Sequence, residues 1–309
     1  MLDPETFLTE WSVVVEEFCK VHARRVSPPG PAGGLTTSEV VTLAISAQQT
    51  RFPSERVFHR RTSRHLRARF PGLPGRDRFN RLTRAAGATI TTCALHVGQT
   101  LATGDDQAFE VIADTGLVVR NAKRRGAGWL FGQAEIGWWT RIGWYEGMRL
   151  LVSVTPSGAV TGWGFGPAST NDRVLAETCF AARATPHPRL PSVGAPTSDR
   201  SVADMGCSGQ RGQARWASAY GAVVVSPPQA DSTRAWPKPR RTWLASIRQV
   251  IEAVHDRLLV RRGLDRERPH ALDGVHARLA AAIGLHNGSC WLNRRFGRAP
   301  LQTADLIDW

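Results

Sequence analysis

Three carboxylates in this sequence sit where acids are unusual. Asp114 interrupts an apolar run in "AFEVIADTGLVV", with Phe109, Val111 and Ile112 before it and Leu117, Val118 and Val119 after it. A carboxylate in a buried strand costs several kcal/mol unless something compensates it. Asp204 closes the short strand-like segment "RSVAD", and Glu252 lies at the edge of an apolar stripe formed by Ile247, Val250, Ile251, Val254 and Leu258. Brought together, the three would form a set of hard oxygen donors suited to divalent cations. Mg²⁺ binds carboxylates and keeps water or phosphate in its remaining shell. Two such ions about 4 Å apart can hold the attacking and leaving oxygens of a phosphoryl displacement. The cation would then compensate Asp114.

Plainer readings stand beside this one. Asp204 can be a turn residue before Gly206, and Glu252 can pair in solvent with Arg248 one turn earlier. Asp199 and Asp172 are rivals for the second acid. Asp199 precedes its strand, whereas sites of open sheets gather at the carboxyl ends. Asp172 reads more simply as a helix-start residue.

The elements that must position these acids follow from periodicity. Residues 1–105 read as helical. "PETFLTEWSVVVEEFCKVHARR" is a first helix, and Thr36-x-x-Glu39 is a capping-box pattern ahead of an apolar run. In "SERVFHRRTSRHLRARF", Phe58, Thr62, Leu66 and Phe70 share one helical face, and Arg56, Arg60, Arg64 and Arg67 share another. From 106 onward strands alternate with helices. "FEVIADTGLVV" is a strand and "MRLLVSVTPSGAVTGWGFG" a hairpin, with a Gly-, Trp- and Arg-rich loop at 120–147 between them. Asn171 is positioned to cap the next helix. Then come the strand ending at Asp204, a helix, the strand "AVVVSPP", the long helix carrying Glu252 and a last helix. That order predicts an α/β class: a mixed sheet covered by helices, preceded by an all-helical region.

Charge points to the partner. The 309 residues carry a net charge of +14, and only Lys20, Lys123 and Lys238 of the 40 basic residues are lysines. Residues 51–84 hold eleven arginines against Glu55 and Asp77. A surface so rich in cations fits a polyanion such as duplex DNA, with the arginine stripe on phosphates; the alternative is a merely solvated basic face. Lys123, Arg124, Arg125 and Arg141 stand among Trp129, Trp138, Trp139 and Trp144. Interleaved cations and aromatics suit stacking on unpaired bases, and an aromatic mini-core or subunit contact fits equally. No stretch approaches the roughly 18 apolar residues of a membrane span. The acidic N-terminus lacks a signal pattern, so a cytoplasmic, nucleoid-associated location without membrane contact is expected. The five cysteines are scattered, which argues against a disulfide framework. Glu252-x-x-His255 is half of a di-iron motif with no second copy. His270, His276, His286 and Cys290 lack zinc-finger spacing.

Taken in order, the segments resemble the transposases of bacterial insertion sequences that carry an Asp-Asp-Glu triad on an RNase-H-like fold. "VIADTGLVV" resembles the first catalytic strand, "SVADMGCSG" the segment of the second acid, and "IRQVIEAVHDRLL", with Arg248-x-x-x-Glu252, the helix of the third. "LTTSEVVTLAISAQ" and the basic segment after it resemble the family's N-terminal region, and "GVHARLAAAIGLHNGSCWLNRRFGRAPLQTADLIDW" its C-terminal tail. Ala245, Leu259 and Cys207 stand where many relatives have a tyrosine, a lysine and an aromatic residue. The resemblance implies a basic DNA-binding region at 1–105 and a catalytic domain at 106–309. It also implies Asp114, Asp204 and Glu252 as catalytic and metal ligands for Mg²⁺ or Mn²⁺, as two ions. The substrates would be terminal inverted repeats and target DNA, contacted by Arg56, Arg60, Arg64, Arg67, Lys123, Arg124, Arg125 and Arg248. A homodimer would form the synaptic complex.

Overall fold

The computed structural model describes residues 2–22, 34–49, 52–121, 129–141, 143–188, 190–228, 236–261, 264, 271–303 and 306. Among them the elements run α1 (Pro4–His22), α2 (Thr37–Ser46), α3 (Glu55–His65), α4 (Arg76–Ala85), α5 (Gly87–Leu101), β1 (Glu110–Asn121), β2 (Glu135–Trp139), β3 (Gly143–Val154) and β4 (Val160–Pro167). They continue with α6 (Asp172–Ala184), β5 (Arg200–Val202), α7 (Gln210–Tyr220), β6 (Val223–Val225), α8 (Lys238–Asp256) and α9 (Leu272–Arg295). The protein is mixed α/β, and it forms two compact units: 1–97 with 261–263 and 271–309, and 98–260 with 264–270. Among the described residues no helix is long and apolar enough to cross a membrane.

The first unit is helical. Thr36 and Glu39 form the expected capping box: the Glu39 amide donates to Thr36 Oγ1 at 3.2 Å and the Thr36 amide to Glu39 Oε2 at 2.7 Å. Phe58 and Thr62 are buried on α3, which ends at His65, so Phe70, also buried, lies beyond the helix whose face the sequence extends to it. The sequence reading placed the C-terminal segment with the catalytic part, whereas α9 packs on α2 and α4 in this unit. The cause is its composition: Ala280 to Cys290 is an unbroken buried run, and a helix buried on every side belongs at the centre of a bundle.

The second unit is built on one mixed sheet. β1 pairs antiparallel with β3 over Val111↔Val154 to Asn121↔Tyr145, and its other edge pairs parallel with β5 at Glu110↔Ser201 and Val111↔Val202. β6 continues beside β5 in parallel. The far edge of β3 is shared between β2 and β4, both antiparallel. Side chains alternate along β1. Ile112 joins Leu151, Leu175, Ala176, Cys179 and Phe180 beneath α6, while Phe109 meets Trp243 of α8 edge-on, ring centroids 6.0 Å apart. The 120–147 segment, expected as a loop, contains β2 and the start of β3. The alternation of Ile136 and Trp138 with Gly137 and Trp139 is a strand pattern that the glycines had masked. Lys123, Arg124 and Arg125 lie outside the described residues.

Candidate functional site

β5 ends at Val202, opposite Val111, so from Ala113 onward that edge of β1 is released from its parallel neighbour. A cavity of about 470 Å³ opens there, lined by Asp114, Asp204 and Glu252. Three acids separated by 90 and 48 positions in the chain thus meet at one site. Asp114 comes from the strand itself. Asp204 follows the carboxyl end of the adjacent parallel strand, where it starts a short 3-10 turn and accepts the Gly206 amide at 2.9 Å. Glu252 reaches the cavity from the exposed side of α8, whose Ile251, Val254 and His255 are buried. Among the described residues Arg248 makes no ion pair with Glu252, although both line the cavity.

A fourth acid completes the cluster. Asp172, which the sequence presents as a helix-start residue, is the first residue of α6, with Asn171 as its cap: the Arg173 amide donates to Asn171 Oδ1 at 3.0 Å. It also lines the cavity. A Cβ at Gly206 would collide with the Asp172 carboxylate, so any other residue there would have to push that side chain aside where the second acid's turn passes α6.

One arginine ties the cluster together. Arg149 on β3 donates through Nε to Asp114 Oδ2, and its Nη1 stands 2.6 Å from Asp172 Oδ1 and 3.0 Å from the Thr170 carbonyl. Burial and the neighbouring Asp172 nonetheless push Asp114 up to about 6 against the pull of Arg149, with Asp204 adding to the rise. The cluster therefore holds more negative charge than its arginine offsets.

His255 closes the floor. Burial drives it down to about 4, with Arg248 adding to the fall and a hydrogen bond to the Ala113 backbone opposing it. It is neutral near pH 7, and its Nε2 has no partner among the described residues.

The oxygen donors suit a hard divalent cation. As they stand, no three His, Cys, Asp or Glu side chains among the described residues are placed to hold a metal ion, and the Arg149 guanidinium lies between Asp114 and Asp172. The donor chemistry fits the cation; the present arrangement is that of a site partly offset from within by Arg149.

The expected DNA contacts separate into groups. In the first unit, Arg56, Arg60 and Arg64 of α3 and Arg76 and Arg78 of α4 line a groove of about 800 Å³. Arg67 is engaged internally, donating through Nη1 to the Leu73 carbonyl at 2.7 Å. In the second unit Arg248 and Arg141 line the acid cavity, with Trp139 beside them. Trp138 and Trp144 face each other across β2 and β3 with most of each side chain in solvent. Comparison of the chain with protein-family models, with curated proteins and with solved structures found no match in any of the three.

Proposed function

We propose that this protein is a DNA transposase of the bacterial insertion-sequence type. It would cut and rejoin DNA strands at the element's ends through an Asp-Asp-Glu site on an RNase-H-like fold. The observation that carries this reading is the meeting of Asp114, Asp204 and Glu252, from three distant segments, at the released edge of β1. The position just beyond the carboxyl end of β5, beside the edge of β1 that it leaves unpaired, supports it. The mixed sheet flanked by helices and the arginine-lined groove of a separate helical unit fit the same reading.

In this account Asp114, Asp204 and Glu252 hold a pair of Mg²⁺ or Mn²⁺ ions. When bound, such a pair activates the attacking water or 3′-hydroxyl and stabilises the leaving 3′ oxygen. The chain's own residues do the rest. Arg141 and Arg248 offer guanidinium donors to a phosphodiester entering the cavity, and Trp139 supplies an aromatic wall. His255, neutral and buried, lines the cavity one turn along α8 from Glu252. Arg56, Arg60 and Arg64 grip the duplex backbone without reading sequence. A second copy of the chain would bring the partner end.

The test is cleavage of a labelled duplex carrying the genomic sequence that flanks the coding region, in Mg²⁺, Mn²⁺ or EDTA, with Glu252→Ala beside the wild type. Metal-dependent nicking at the repeat boundary, absent in the variant, is the expected result. Tight binding with no cutting in any metal would instead identify a DNA-binding protein without the chemistry.

A further inference from the structure

Arg149 lies directly across from Gly116 on the neighbouring strand, and its side chain crosses to the acid cluster. Its guanidinium spans carboxylates from two elements, Asp114 of β1 and Asp172 of α6, and is braced by the Thr170 carbonyl. A planar fork of donors suits this bridging; a point charge does not. Three arginines line the cavity, and the other two are differently engaged. Arg141 leans to Asp256 at 3.7 Å, and Arg248 leaves its Nε without a partner. Among the described residues, Arg149 alone of the three forms ion pairs with acids of the cavity. Asp172 is fixed in turn by its place in the first turn of α6 and by the close approach of Gly206.

Resting on the reading of this cavity as a divalent-cation site, we propose that Arg149 is the site's internal counter-cation. Its guanidinium engages Asp114, one of the acids that would hold the cation, and Asp172 is the positioning residue that holds the guanidinium there. Loading is then an exchange of one cation for another. Arg149 offsets part of the carboxylates' charge before metal arrives, and the metal must displace it. This accounts for two observations together: four acids share a cavity, and no three of them stand ready around a metal position.

The exchange is read directly by titrating the full-length protein with Mn²⁺ in the absence of DNA, following free Mn²⁺ by its paramagnetic resonance signal. Removing the competitor in Arg149→Gln should tighten the Mn²⁺ Kd by about tenfold or more, a change expected from deleting a charge in direct contact with the acids. Arg149→Lys keeps a charge and cannot bridge, so it should fall between the two. Arg141→Gln removes the same charge from the cavity wall and should shift the Kd by less than about threefold, because it does not sit between the acids. An unchanged or weaker Kd in Arg149→Gln, beside a wild type that binds Mn²⁺, overturns the inference alone. Failure of every variant to take up Mn²⁺ overturns both the inference and the cation-site reading beneath it. Should Arg149→Gln not fold, the comparison of Arg149→Lys with wild type decides: tightening supports the exchange, and an unchanged Kd contradicts it.

Discussion

Two acids lie four residues apart on the same face of β1 and meet opposite fates. Glu110 is fully buried, and every lone pair is used. Arg183 pairs with it through both terminal nitrogens at 2.7 and 2.8 Å. Ser153, Thr161 and the Thr197 amide and hydroxyl donate at 2.7 to 2.9 Å. Burial opposes its charge, yet Arg183 and these donors hold it down at about 2. Asp114 is less buried and nevertheless rises to about 6, because burial and Asp172 outweigh the single arginine it shares. α6 serves both, with Arg183 in its last turn and Asp172 in its first. The comparison teaches what separates an acid whose charge is met in place from one whose charge is only partly met. Glu110 has an arginine to itself, whereas Asp114 shares Arg149 with Asp172 and keeps charge to spare for a cation from solution.

Breaking the closed end should have the largest effect. Glu110→Gln or Arg183→Met leaves a buried charge without its partner and should cost about 3–5 kcal/mol of stability, read as the denaturant midpoint. Asp114→Asn should cost less than about 1 kcal/mol in metal-free protein, because its charge is the disfavoured form there. A large loss on Asp114→Asn would erase the distinction.

The two acids should also part in their pH dependence. Glu110 titrates below its ordinary value of 4.5. Its stabilisation is therefore complete above 4.5 and is lost as pH falls toward about 2. Asp114 titrates above its ordinary value of 3.8, so it costs the metal-free fold stability above about 6, and that cost is relieved as pH falls from about 6 to 3.8. Denaturation series in EDTA should show the lower limb flattened by Glu110→Gln and the upper limb flattened by Asp114→Asn.

A glycine stands beside each pair and sharpens the contrast. A Cβ at Gly162 would come within 2.8–3.0 Å of the Arg183 side chain, whereas one at Gly206 would strike the Asp172 carboxylate. Gly162→Ala should lower stability by about 1–3 kcal/mol through overpacking. Gly206→Ala should reduce strand cleavage, because it disturbs the turn that carries Asp204, while costing no more than about 1 kcal/mol of stability. The smallest effects belong to the helical unit. Each of Arg56→Ala, Arg60→Ala and Arg64→Ala should reduce the slope of log affinity for duplex DNA against log salt by about 1. Arg67→Ala should act on folding, through the Leu73 carbonyl it holds.

Much of the site was legible because acids in apolar surroundings are conspicuous. Asp114 broke a strand and Asp204 closed one, and Glu252 sat on the edge of a stripe. The mixed sheet with its helices followed from the order of periodicities. Asp172 reads from sequence as a helix-start acid, since a first-turn acid is commonplace, and only the docking of α6 on the sheet shows that it lines the cavity. Glu110 and Arg149 gave no local signal at all. Glu110 lies 73 positions from Arg183, and Arg149 reads as one cation in a hairpin until β3 is set beside β1. The β2–β3 ribbon hid behind its glycines. For α9, periodicity says that the helix is buried and does not say in which core.

The central claim is that Asp114 is a reacting-site acid and not a structural one. It is tested most directly by strand cleavage with purified Asp114→Asn beside wild type, on the same flanking-sequence duplex, in Mg²⁺ and in EDTA. The account predicts metal-dependent nicking by the wild type. It predicts none by a variant that keeps the wild-type circular dichroism and DNA affinity. Nicking retained by Asp114→Asn would contradict it.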